Sequence, residues 1–298
     1  MYVDSHVHLQ PHGEQSPITR ERIELYVASA RAHGVERIAL TEHLFRFREA
    51  YDALGGWWDD DQSEPVLCAA AQAYWEDHLS TSVKEYVRAV EDAKAAGLPV
   101  LLGIELDWIP GRVEALRAFL EPYDWDVVLG SVHWLGAWMI DGEYGPSIPN
   151  WWERRGVDEF FAEYASYLAD LAGSRLCDVL AHPDLPKLFG HRPMTFGPLH
   201  ATIVDAARAG GCAVEVNSNG YNKPVAEAYP ALPVLEQARA AGLPITLASD
   251  AHTPERVGER FDDIVALAEQ AGYREYVSFE RRRRVTHALP SAAAGGDA

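Results

Sequence analysis

Short β-branched apolar runs alternate along this chain with longer alanine-rich amphipathic stretches, and nearly every apolar run stops on a histidine, an acid or an asparagine. The alternation is that of βα units wound around a parallel sheet. It places strands near 2–7, 36–42, 99–105, 125–132, 176–181, 212–217 and 244–249. Helix punctuation separates them. "SPITRERIELYVASARAHG" opens on Ser-Pro and stops at Gly34, and "AAGLP" recurs at 95–99 and 240–244, where a glycine ends a helix and Leu-Pro leads into the next strand. No linker or compositional break divides the chain, so one domain over 1–290 is expected. Residues 45–80 are too long for a plain βα loop and rich in aromatic and acidic side chains, which reads as a lid-like insertion. The small-residue tail 291–298 reads as disordered.

The strand ends carry the chemistry. His6 and His8 close the first run, His43 the second ("IALTEH"), Glu105 the third ("LLGIELD"), His133 the fourth ("VLGSVHW"), His182 the fifth ("DVLAHPD"), Asn217 the sixth ("AVEVNSNG"), and Asp250 with His252 the seventh ("TLASDAH"). In a β/α barrel the C-terminal ends of the strands form the face on which active sites are built. Residues i and i+2 of a strand share a side, so His6 with His8 and Asp250 with His252 can each converge. Imidazole and carboxylate suit zinc, iron and manganese. His33, His78, His200 and His287 stand outside this pattern and read as ordinary surface or core residues. Asp4 lies on the His6 side of an ideal strand, either as an acceptor for a ligand imidazole or as a structural acid. Glu42 either orients His43 or is a strand-end acid.

Charge and cysteine usage narrow the class. The 298-residue chain has a formal charge of −19, which disfavours nucleic acid and anionic membrane surfaces as partners. Cys68, Cys177 and Cys212 are odd in number and widely spaced, arguing against a disulfide framework and for a reducing cytoplasm. "ERRRR" at 280–284 is expected to be a solvated helix face rather than a nucleic-acid patch. No run is long enough to span a membrane.

In the ordered set "DSHVHLQPHG", "ALTEH", "GIELDW", "GSVHW", "AHPDLPKLFG", "VNSNGYNKPVAEAYPA" and "SDAHTPERVG", the chain resembles the PHP (polymerase and histidinol phosphatase) family, and within it the monofunctional histidinol-phosphate phosphatases. The resemblance implies a distorted seven-stranded (β/α) barrel of PHP type that carries two or three divalent metal ions (Mn, Zn or Fe). It implies a first ion on His6, His8, Glu105 and Asp250, a second bridged by Glu105 and completed by His133 and His182, and a third on His12, His43 and His252. It further implies a phosphatase acting on L-histidinol phosphate in histidine biosynthesis, with Glu105 and Asp250 nearest the reaction. Asp250 and a water at the cluster are the two candidate donors of a proton to the leaving alkoxide. Bound cations would activate water and neutralise phosphoryl charge.

A phosphatase also needs cations to clamp its small phosphorylated substrate, and Lys187, Arg192 and Lys223, with Arg256 as a fourth candidate, lie on loops beyond strand ends. Asn222 departs from the family pattern, which commonly has arginine there. That departure leaves room for two other readings, a PHP phosphoesterase acting on another ester or nucleotide, and a noncatalytic metal-binding module. A metal-dependent amide hydrolase is a further chemical alternative. Trp57, Trp58 and Trp75 in the insertion are expected to pack it onto the barrel rather than to wall a substrate. Oligomeric state is not legible.

Overall fold

A computed structural model describes residues 2–11, 15–60, 64–142 and 156–289. His12 and the tail 291–298 lie outside the described residues. Seven parallel strands form one sheet: β1 (Tyr2–Val7), β2 (Val35–Leu40), β3 (Val100–Asp107), β4 (Val127–Ser131), β7 (Val179–Leu180), β8 (Ala213–Asn217) and β9 (Ile245–Ala248). They are ordered β1-β2-β3-β4-β7-β8-β9. Two short antiparallel ribbons accompany the sheet, β5 (Trp134–Leu135) with β6 (Trp138–Met139) and β10 (Glu275–Glu280) with β11 (Arg283–Ala288).

The strands form where the alternation places them because both faces are covered. Every residue of β3, β4, β8 and β9 is buried, as parallel sheets require. The helix Val83–Ala95 shows the other half of the pattern. Its buried side chains Val83, Tyr86, Val90 and Ala93 make one stripe, and a capping box between Ser82 and Glu85 sets its start. Both "AAGLP" segments end their helices identically. Gly97 and Gly242 take positive φ, and the following leucine amides donate back to Ala93 and Ala238 at 3.0 Å, the closing bond of a Schellman turn.

The first and last strands meet just beyond β9, so the sheet is a nearly closed barrel. His6 O accepts from Asp250 N at 2.9 Å, and His8 N donates to Ala251 O at 2.8 Å. Asp4 fastens this seam. Its carboxylate accepts from Ser249 N (3.0 Å), Ser249 Oγ (2.5 Å) and Gly258 N (3.0 Å). It therefore holds backbone across the closure, the structural alternative, and not a ligand imidazole.

Two segments refine the sequence reading. The insertion 45–80 packs through Trp57, Trp58 and Trp75, all buried, in edge-on contacts of 5.7–6.0 Å. Trp57 also meets Trp134 at 5.1 Å, so the insertion rests against the barrel beside His133. The "ERRRR" segment is not a helix face. It is the β10–β11 turn, where Arg281 and Arg282 both take positive φ. Arg281 N donates to Asp126 Oδ1 at 3.1 Å, and Arg282 Nε lies 2.9 Å from Asp178 Oδ2. These acids directly precede β4 and β7, so the arginines cap the N-terminal end of the barrel. No helix among the described residues is long and apolar enough to cross a membrane.

Candidate metal centre

At the opposite end, the C-terminal ends of the strands bring eight of the nine expected ligands together. His6 Nε2 and His8 Nε2 face each other at 2.9 Å. Both approach Glu105 Oε2, at 3.3 and 3.4 Å, and Asp250 Oδ1, at 3.8 and 3.4 Å. Glu105 Oε1 lies 2.9 Å from His182 Nε2 and 3.4 Å from His133 Nε2. His43 Nδ1 reaches Glu105 Oε2 at 2.7 Å, and its Nε2 lies 3.3 Å from His252 Nε2. Ligand atoms converge as His6, His8 and Asp250; as Glu105, His133 and His182; and as His8, His43 and His252. A fourth convergent set is His43, Asp107 and His133. Glu105 is the shared centre, fixed by β3 pairing on both sides and by its own N–H donating to Glu42 O at 3.0 Å.

Facing ring nitrogens can pair only if one neutral ring of each pair donates, and here the same nitrogens also crowd the Glu105 and Asp250 carboxylate oxygens, a buried array of lone pairs that a cation would satisfy together. His8 Nδ1 and His182 Nδ1 are buried without hydrogen-bond partners among the described residues. This nitrogen and oxygen donor set fits divalent zinc, manganese or iron. The electrostatics agree. Burial pushes His8 down to about 4 and His252 down to about 3. At Glu105, burial alone would raise the carboxyl, but His6, His43 and His133 outweigh it and hold it well below the ordinary range. At His6, burial is outweighed by Glu215, Glu105 and Asp250, which raise it. Burial is likewise outweighed at His133, pushed up to about 10 chiefly by Glu105 and Asp141. Clustered carboxylates that hold protons on their histidines compete for a cation in the same place.

Two outer acceptors, Glu215 and Asp107, orient the rings, and Asn219 is an outer donor to Asp250; the sequence reading names none of the three as site residues. Glu215 Oε1 accepts from His6 Nδ1 at 2.8 Å, while its Oε2 accepts from His182 N at 2.8 Å and Asn217 Nδ2 at 3.0 Å. Asp107 Oδ1 accepts from His133 Nδ1 at 2.7 Å. Asn219 Nδ2 donates to Asp250 Oδ2 at 3.1 Å, beside Asn217 Nδ2 at 3.3 Å. The available signal was spacing: Glu105 with Asp107, and Glu215 with Asn217, stand two apart on one strand face. Glu42 does not orient His43. Its Oε1 accepts from Leu9 N (2.5 Å) and Gln10 N (3.1 Å), holding the loop after β1. His182 and Asp250 both take positive φ, at 26° and 54°, a strain of about 1–3 kcal/mol each of the kind found at functional sites.

The expected substrate cations divide. Lys223 and Arg256 line the cavity of about 130 Å³ that opens onto the cluster. The Lys223 ammonium has no ion-pair partner among the described residues, whereas Arg256 pairs through Nε with Glu259 Oε2 at 2.9 Å and donates from Nη2 to Asn219 Oδ1 at 3.1 Å. Lys187 is placed differently from the sequence reading. It is fully buried, with Nζ 2.8 Å from Asp184 Oδ2 and 2.7 Å from Ala228 O. Arg192 pairs with Glu227 at 2.5 Å. These two line a separate cavity of about 400 Å³ with Phe196 and Tyr221, because the tight turn Leu185–Lys187 gives Leu185 and Leu188 to the cluster cavity and Lys187 to the other side. Asn222 Nδ2 donates to Glu259 Oε2 at 3.0 Å on the surface.

The family profile described as PHP domain matches residues 6–219. A relative from Deinococcus radiodurans, described as a probable histidinol-phosphatase, is 35% identical over 284 residues, covering 94% of this chain and 97% of the relative. A second, from Schizosaccharomyces pombe and described in the same words, is 23% identical over 300 residues, covering 94% and 90%. The crystal structure of histidinol phosphate phosphatase from Lactococcus lactis, complexed with zinc, L-histidinol and phosphate, shares the fold with a TM-score of 0.71 at 20% identity, covering 95% of this chain and 98% of that one.

Proposed function

This chain belongs to the PHP domain family, and on that premise we propose that it is a metal-dependent phosphomonoesterase converting L-histidinol phosphate to L-histidinol and phosphate in histidine biosynthesis. The observation that carries the proposal is the convergence of four strand ends on Glu105, next to a cavity whose wall holds the Lys223 ammonium, which has no ion-pair partner among the described residues. His6, His8, Glu105 and Asp250 would hold one ion, Glu105, His133 and His182 a second, and His43 with His252 a third, zinc being the ion in the Lactococcus lactis structure. Divalent ions bound there supply Lewis-acid activation of water and neutralise charge on the phosphoryl group.

The chain's own residues then have distinct tasks. Lys223 and Arg256, on the loops after β8 and β9, bind and orient the phosphate oxygens. Asp107 and Glu215 keep the His133 and His6 rings turned with Nε2 toward the cluster. Asp250 acts as an acceptor, since both Asn217 and Asn219 donate to its Oδ2, and it is therefore a poor source of the proton for the leaving alkoxide. Tyr229, Leu185 and Leu188 supply the apolar part of the cavity wall. Cys177 and Cys212 meet as thiols with Sγ atoms 3.7 Å apart, a sulfur hydrogen bond.

The test is phosphate release from L-histidinol phosphate beside a panel of other monoesters, using protein stripped of metal and reloaded with zinc, manganese or iron. The proposal requires metal-dependent release with a clear preference for histidinol phosphate. Equal turnover across the panel would make this a general phosphoesterase, and a folded, metal-loaded but inert protein would make it a binding module.

A further inference from the structure

We infer that Asp141 is a specificity residue whose carboxylate receives the cationic, amine-bearing end of the substrate. The inference rests on the histidinol phosphate reading and deepens it. After His133 the chain makes the β5–β6 ribbon and turns straight back, with Ile140 N donating to His133 O at 2.8 Å. This return sets Asp141 on the wall of the cavity that opens onto the cluster. Its Oδ1 is buried and has no hydrogen-bond partner among the described residues, and it belongs to none of the convergent ligand sets found there.

Beyond its charge interaction with His133, a carboxylate with a buried, unbonded oxygen in a cavity built for a phosphate needs an explanation. It repels the phosphoryl group, and in a partly desolvated site that repulsion is stronger than in water. The arrangement becomes favourable when the bound molecule itself carries a positive charge away from its phosphate. The placement of charges matches such a molecule. Lys223 and Arg256 stand on the β8 and β9 side of the cavity, Asp141 stands after β4, and β7 lies between them in the sheet. The cavity is thus cationic at one side and anionic at the other, with the Glu105 cluster at its floor. A phosphomonoester carrying an ammonium group a few bonds from its phosphate satisfies both sides at once, and L-histidinol phosphate has this form. A neutral alcohol phosphate leaves Asp141 Oδ1 without a hydrogen bond, so the same residue selects against it.

Asp141→Asn separates this role from a structural one. Steady-state kinetics on L-histidinol phosphate and on glycerol phosphate are measured together with metal content and melting temperature. The loss of one charge-assisted hydrogen bond is expected to raise KM for L-histidinol phosphate about 10- to 100-fold with kcat little changed, while turnover of glycerol phosphate holds or improves. Asp141→Glu should recover part of the loss. An equal fall on both substrates, a drop in bound metal, or unchanged kinetics with L-histidinol phosphate would each overturn the inference. A wild type that does not hydrolyse L-histidinol phosphate at all would instead overturn the functional reading, and the inference with it.

Discussion

Glu215 should control whether His6 can bind a cation, and Glu215→Gln tests this with almost no change in volume. The carboxylate is fully buried and accepts three hydrogen bonds, from His6 Nδ1, His182 N and Asn217 Nδ2, at 2.8–3.0 Å. As an acceptor toward His6 it keeps the proton on Nδ1 and leaves the Nε2 lone pair pointing at His8, Glu105 and Asp250. An amide whose oxygen still serves His182 N and Asn217 turns its NH₂ group toward His6. The ring must then give up its Nδ1 proton to accept, and Nε2 becomes the protonated, non-binding atom. Losing such an outer acceptor costs about 10- to 100-fold in metal affinity, equivalent to about 1.4–2.7 kcal/mol at 1.36 kcal/mol per tenfold. The assay is competition for zinc against a chromogenic chelator, paired with phosphate release at saturating zinc. Binding should weaken by that factor, and activity should recover as zinc is raised. Wild-type affinity in Glu215→Gln would refute the assignment of Glu215 as the group that sets the His6 tautomer.

Other perturbations distinguish residues that the sequence alone treats alike. Lys223→Ala should lower kcat/KM for phosphate monoesters at least tenfold with the melting curve unchanged, whereas Lys187→Met should destabilise the fold by about 3–5 kcal/mol in urea titration, because it leaves Asp184 buried and unpaired. Asp4→Ala should cost about 3 kcal/mol or more and loosen the seam between β1 and β9, read as faster amide exchange at Asp250 and Gly258, since it strands the donors of Ser249 and Gly258. Burial holds the His200 imidazole below its ordinary pKa of 6.5. Below about pH 6.5 the unfolded chain therefore binds the extra proton, and stability falls as pH drops through that value; His200→Gln should flatten this part of the stability profile.

The barrel was legible because its determinants are local. β-Branched runs buried on both faces, and glycines such as Gly97 and Gly242 at helix ends, mark each βα unit without reference to the rest of the chain. The convergent cluster was legible because strand-end histidines and acids are conspicuous against apolar runs. What each acid faces was not. Asp4, Glu42, Asp107 and Glu215 are all buried acids in or beside strands, yet two hold backbone amides and two hold imidazoles. That choice is made by barrel closure and loop return, which no single stretch of sequence encodes. Lys187 was misread for the same reason, as its loop folds back to form a buried pair with Asp184. The β10–β11 turn was missed because two consecutive arginines at positive φ carry no turn signature of their own and depend on Asp126 and Asp178.

The most direct test of the central claim is a titration of metal-stripped protein with zinc, following metal uptake and phosphate release from L-histidinol phosphate in the same samples. If the cluster around Glu105 is the catalytic centre, activity is absent without metal, rises with uptake and saturates with it, and Glu105→Gln abolishes both. Phosphate release by the stripped protein, or full uptake with no release, would contradict the account.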